Sequence, residues 1–279
     1  MSYLNKFLIE ENYSQNKLWQ NRVSYIQQDE SVIYEPNPNP PFYVEALEEL
    51  YISWKSSAYY SLDGINWKKF SVGQTPKIKK GERIAIRATG LTPEVNSGIG
   101  KISISGKCNI GGNIMSLLFG SNYANNSSLI GYDYAFCFLF YFQKIVDASK
   151  LILPTTLAPH CYDRMFTYCQ DLVNAPALPD AVLKDSCYRY MFANCYSLTE
   201  APPLRASVLA NKCYELMFKG CKNLQSIKML ATDITAEGCF DSWVDGVAIN
   251  GTFVKAKGVT LPSGTSGIPS GWTVEEVEV

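Results

Sequence analysis

The chain has 279 residues, 47% of them hydrophobic and 18% charged, which is enough apolar material for at least one full buried core and excludes intrinsic disorder. Its 25 basic and 26 acidic side chains leave a net charge of −1 with no basic block, so the phosphate-neutralising term behind nucleic-acid binding has no source. The longest apolar run, Ala135-Phe-Cys-Phe-Leu-Phe-Tyr-Phe142, falls far short of the roughly 20 residues that cross a bilayer, and no membrane span is expected.

Residues 1–34 are polar with scattered aromatics (Tyr13, Trp19, Tyr25), and Asn5 and Lys6 interrupt the first apolar stretch, so no secretory signal is expected. The segment ends at Glu35-Pro-Asn-Pro-Asn-Pro-Pro41, whose prolines are expected to forbid helix and ladder pairing and to favour an extended polyproline-like chain. Residues 1–41 are therefore expected to form an attachment arm and a stiff linker.

Over 42–118 the pattern changes to short alternating segments, among them Leu50-Tyr-Ile-Ser-Trp54, Arg83-Ile-Ala-Ile-Arg87 and Lys101-Ile-Ser-Ile-Ser105. Alternation at period two is the mark of a strand with one buried face, and Asp63-Gly64 suits a tight hairpin between Tyr59-Tyr60 and 67–70. A small antiparallel β-sandwich follows. Ser61-Leu-Asp-Gly-Ile-Asn-Trp67 resembles the aspartate-box hairpin of sialidases, which implies a structural turn and no substrate site.

The next region, 119–248, repeats itself every 26 residues. Cys161-Tyr-Asp-Arg-Met-Phe-Thr-Tyr-Cys169 returns as Cys187-Tyr-Arg-Tyr-Met-Phe-Ala-Asn-Cys195 and Cys213-Tyr-Glu-Leu-Met-Phe-Lys-Gly-Cys221, with degenerate copies at Tyr134 to Tyr141 and Cys239 to Trp243. Leu183, Cys187 and Met191, like Leu209, Cys213 and Met217, fall at i, i+4, i+8, the spacing of one helix face, and Pro179-Asp180 suits a helix start. The linking phrases at Leu172 and Leu198 read as strand and turn. The expected fold is therefore α+β: the sandwich, then a leucine-rich-repeat-like α/β solenoid of 26-residue units, closed by a small C-terminal β cap over 249–279 with Trp272 as its plug. Its core would be Cys161, Met165, Phe166, Cys169, Cys187, Met191, Phe192, Cys195, Cys213, Met217, Phe218 and Cys221.

Nine cysteines are an odd number in a long chain, and reduced thiols are the expected state. Zinc pairs use ligand spacings of two to four residues, whereas these pairs are eight apart, so the cysteines are expected to be small apolar packers; disulfides and metal are the competing readings. The single histidine, His160, precedes a core cysteine, and on a helix the two would face different ways, the wrong arrangement for activating a thiol nucleophile. Acids in the repeats neither recur at matched positions nor cluster as the two carboxylates of a glycosidase must. No catalytic residue, cofactor or metal is expected.

The phrase Cys-Tyr-x-x-Met-Phe-x-x-Cys-x-x-Leu-x-x-Ala-Pro-x-Leu-Pro and the ending Gly264-Thr-Ser-Gly-Ile-Pro-Ser-Gly-Trp-Thr-Val274 resemble the BspA-like leucine-rich-repeat proteins of gut Bacteroides and their phages. The resemblance covers roughly 113–274; Phe142-Gln143 and Arg205 depart from it. It implies a non-enzymatic virion surface protein, a head or tail fibre or decoration protein of crAss-like type that assembles in the host cytoplasm. Adhesion or receptor binding would be its role. Implied partners are other virion proteins through the arm, a host-surface glycan or protein, and other copies of the chain in a homo-oligomer. A bacterial cell-surface adhesin and a glycan-degrading fibre enzyme are the alternatives. The expected binding surface comprises Tyr162, Tyr188 and Tyr214, equivalent slots that could form a partly exposed aromatic ladder or simply close the core, with Arg164, Tyr190, Asn174 and Glu200.

Overall fold

The computed structural model describes residues 21–22, 35–36, 38–55, 57–70, 76–89 and 102–279. Most of the arm, with Tyr13, Trp19 and Tyr25, lies outside the described residues. The proline run does not forbid pairing as expected: β1 (Asn21–Arg22) and β2 (Glu35–Pro36) are antiparallel partners, Asn21 opposite Pro36. Proline lacks only the donor. Its carbonyl still accepts, as that of Pro40 does from the Asn113 N–H at 2.7 Å.

The alternating segments form β3 (Tyr43–Ala46), β4 (Leu50–Trp54), β5 (Ala58–Ser61), β6 (Lys68–Lys69), β7 (Lys77–Ile78), β8 (Arg83–Ala88), β9 (Ile102–Ile104) and β10 (Cys108–Asn113). One sheet runs β11-β10-β3-β8-β5-β6, where β11 is Ile145–Ile152, and another runs β7-β4-β9. Val44, Ile84 and Ile86 of the first share a core with Leu50, Ile52, Ile78 and Ile104 of the second. The Asp63-Gly64 hairpin joins β5 to β6, with Tyr59 opposite Lys69. Gly64 has φ +75°, the left-handed conformation such a turn needs. Asp63 Oδ1 accepts from Ser61 Oγ and from the N–H groups of Ile65 and Asn66 at 2.7–2.9 Å.

The α/β solenoid expected over 119–248 is corrected. The one α-helix among the described residues, α1 (Ser116–Phe119), is a single turn that precedes the repeats, and regular structure elsewhere is almost all strand. Where helices were expected, the chain makes successive tight turns with a left-handed residue at every fourth position. His160, Arg164 and Tyr168 have φ between 55° and 63°, and so, within a few degrees, do Ser186, Tyr190 and Asn194. The backbone is satisfied alternately. Cys161, Asp163, Met165 and Thr167 donate N–H to the carbonyl three residues back, while His160, Tyr162, Arg164, Phe166 and Tyr168 donate to carbonyls 25 residues ahead, at 2.9–3.0 Å. The same pattern begins at Tyr134 and at Ser186, so each turn segment is hydrogen-bonded to the next.

This conformation sends residues inward in pairs. Cys161-Tyr162, Met165-Phe166 and Cys169 are buried at 0%, and so are Met191, Phe192, Cys195, Met217, Phe218 and Cys221. Phe140, Phe166, Phe192 and Phe218 stack with centroids 5.3–5.9 Å apart. The linking phrases return on the other side as β11, as isolated parallel bridges (Asp147 with Asn174, Glu200 with Ser226), and as β12 (Ser226–Met229). β13 (Thr252–Ala256) and β14 (Thr273–Val277) add to β12 in parallel. Because β10 pairs antiparallel with β3 and parallel with β11, the first sheet continues into the repeat region without a break.

Trp272 is buried at 6% and bonds Ala248 O, but the aromatic column ends on Trp243, at 0%. Trp243 lies 6.1 Å from the Phe218 ring and 6.0 Å from that of Phe253 on β13.

Candidate functional site: an aromatic and arginine strip on the turns

Left-handed backbone disfavours any residue with a Cβ by about 1–2 kcal/mol, and bulky side chains are rare there. Equivalent slots of the five turn segments differ in how they meet this cost. The first slot holds Tyr134, His160, Ser186, Lys212 and Gly238; the second Phe138, Arg164, Tyr190, Leu216 and Ser242; the third Phe142, Tyr168, Asn194, Gly220 and Gly246. Glycine and asparagine, which tolerate this φ, occur in the later segments. The earlier segments carry large rings and a guanidinium.

Those side chains touch one another. Tyr134 and His160 stack at 4.3 Å and 7°, and Phe142 and Tyr168 at 4.4 Å and 7°. Tyr141 meets Phe138, Phe142 and Tyr168 edge-on. The Arg164 guanidinium lies over Phe138 at 5.3 Å and Tyr190 at 4.2 Å. Phe142 remains 57% exposed, and most of the others are half-buried. The strip is therefore continuous, aromatic and reachable from solvent.

Charges run beside it. Asp163, its side chain only 4% exposed, meets Arg164 at 3.0 Å and Arg189 at 3.5 Å, and Arg189 reaches Glu215 at 3.0 Å. Burial raises the Asp163 carboxyl above the usual range and outweighs the lowering by Arg164, Arg189 and His160. The ion pairs neutralise one another within the strip.

The predicted surface residues separate. Tyr162, Tyr188 and Tyr214 are 0%, 1% and 2% exposed and stack inside the core at 5.7 and 6.2 Å, so they close the core, the second of the two expected arrangements, and their place in the expected binding surface is corrected. Arg164 and Tyr190 belong to the strip. Asn174 and Glu200 are exposed, but on the strand side, where Asn174 Nδ2 donates to Asp147 Oδ2 at 3.0 Å. Sequence reasoning missed Phe138, Phe142 and Tyr168, and considered His160 only as a partner for a thiol nucleophile. The available signal was the alternation of rings with Asn194 and Gly220 in one slot.

The cysteines have a defined structural role. Cys169, Cys195 and Cys221 donate S–H to the carbonyls of Phe140, Phe166 and Phe192 at 3.0–3.2 Å. Burial pushes the thiols up, that of Cys161 to about 12, which suppresses thiolate chemistry. In the first segment Gln143 stands in the second-cysteine slot, and its Oε1 accepts the Ile104 N–H at 2.7 Å, tying the turns to β9.

No family model, curated protein or solved structure matches this chain. No described helix is long and apolar enough to cross a membrane.

Proposed function

We propose that the chain is a non-enzymatic binding protein that engages its partner through the strip of Phe138, Phe142, Arg164, Tyr168 and Tyr190. The observation that carries this reading is the third slot, where Phe142 and Tyr168 stand at left-handed positions that the same turns fill elsewhere with Asn194, Gly220 and Gly246. A fold that accepts glycine there gains nothing in backbone energy from phenylalanine, and strain kept at accessible positions points to contact with something else. Tyrosine, phenylalanine and arginine are also the residues that concentrate binding energy.

The proposed setting is a phage virion surface, as fibre or decoration protein, with the 1–41 arm docking to other virion proteins. The resemblance of the repeated cysteine phrase to phage and Bacteroides surface proteins supports that setting. Detection of the chain in purified particles by mass spectrometry, and its absence from washed uninfected cells, is the expected result; the reverse would favour a cell-surface adhesin.

Phe142→Gly and Tyr168→Gly test the strip itself. Each removes left-handed strain of about 1–2 kcal/mol and loses two ring contacts of about 0.5–1.5 kcal/mol each, so the thermal midpoint should stay within several degrees of the parent. Binding of the full chain to host cells should fall at least tenfold. Undiminished binding by both variants would remove the strip from the reading.

A further inference from the structure

We infer that the strip selects a neutral, hydroxyl-rich glycan; the inference rests on the binding role proposed above and names the class of ligand. Charge is the first argument. The acids and guanidiniums along the strip are already paired, Asp163 with Arg164 and Arg189, and Arg189 with Glu215. An anionic or cationic ligand would have to break a partly buried pair and strand one of its members, at a cost that a neutral ligand avoids. The side chains bearing these charges are 4–27% exposed, so the strip presents their outer polar edges and little net field.

The second argument is the mixture of surfaces. Phe142 has one face covered by Tyr168 at 4.4 Å and a perpendicular contact with Tyr141 at 4.6 Å, yet 57% of it meets solvent, leaving a broad apolar area. The Arg164 guanidinium lies over the Phe138 ring at 5.3 Å and the Tyr190 ring at 4.2 Å, and its Nη1 donates to both carboxylate oxygens of Asp163, so a planar donor group is fixed among the rings. Apolar ring surface bordered by fixed planar donors and acceptors matches a sugar, whose rings offer C–H faces edged with hydroxyls.

The test is a direct titration of the full-length protein with neutral gluco-, manno- and galacto-oligosaccharides, alongside sialylated and uronic-acid oligosaccharides, at about 50 and 500 mM salt. At least one neutral series should bind, with affinity changed less than twofold by salt, because no charge is screened. Phe142→Gly and Tyr168→Gly should each weaken it at least tenfold. Binding confined to the charged series, and weakened by salt, overturns the inference. If no glycan binds while the two variants still lose attachment to host cells, the partner is a protein; the glycan inference then fails and the binding reading stands. If the variants keep cell attachment, both fail.

Discussion

Asp63 shows how a single carboxylate can organise a turn. Burial alone would raise its pKa, but hydrogen bonds from the Asn66 backbone and side chain, the Ile65 N–H and the Ser61 hydroxyl outweigh it and hold it at about 2. A folded pKa below the unfolded value of about 3.9 means a contribution present above pH 4 and lost as pH falls toward 2. Asp63→Ala should therefore cost about 1–2 kcal/mol at pH 7, and the gap between parent and variant should close in urea melts run from pH 4 down to pH 2. A gap that does not change with pH would mean that the carboxylate charge is irrelevant. Cys195 is the matching case in the core. Cys195→Ala removes the S–H bond to Phe166 O and leaves a small void, and should lower stability by about 1–3 kcal/mol; Cys195→Ser, which restores a donor, should recover part of that loss. Equal loss in both variants would show that volume and not the hydrogen bond accounts for the cysteine.

At the scale of elements, the strands were legible and the turns were not. Leu50–Trp54 alternates and Arg83–Ala88, buried on both faces at Ile84, Ala85 and Ile86, is a strand between two others, while the Asp63-Gly64 pair marks the neighbouring hairpin. Leu183, Cys187 and Met191 satisfied the helix spacing because a turn with a left-handed residue every four positions also returns side chains to the core at i, i+4, i+8. Over nine residues a period of 4 cannot be separated from 3.6 by hydrophobicity. Glycine and asparagine in the third slot separate them, since Asn194, Gly220 and Gly246 mark positive φ. Helix spacing left the exposure of Tyr162 open, whereas the inward pairs of the turn bury it beside Cys161. Lys212 offers a test by sign. It is exposed at φ +53°, in the slot that the next segment fills with Gly238. Glycine within a helix costs about 1 kcal/mol, but at a left-handed position Lys212→Gly should raise stability by about 0.5–1 kcal/mol after the greater entropy of the unfolded chain is subtracted. A lower midpoint in chemical denaturation would contradict the turn geometry.

For the whole molecule, the decisive feature is that one apolar cluster runs from Phe42, just before β3, to Trp272 near the end of the chain. The change of texture near 118 suggested a boundary there; the first sheet spans it, because β10, antiparallel to β3 on one side, pairs in parallel with β11 beyond that point. The far end is closed by the glycine-rich loop, whose Thr265 O accepts the Val244 N–H and whose Ser266 Oγ accepts that of Ser242, standing in for a further segment. Trp243 joins the two: its ring contacts Phe218, Phe240 and Phe253, and its Nε1 donates to Gly267 O at 2.8 Å. Trp243→Ala should cost about 3–5 kcal/mol. If the cluster is also one cooperative unit, the variant should still melt in a single transition, several degrees lower, with far- and near-ultraviolet dichroism coincident. Amide protection at Ile52 and Ile86, distant in sequence from the tryptophan, should fall along with that at Phe218. Loss confined to 216–277, with the sheet amides unchanged, would show that the contiguous core is two energetic units.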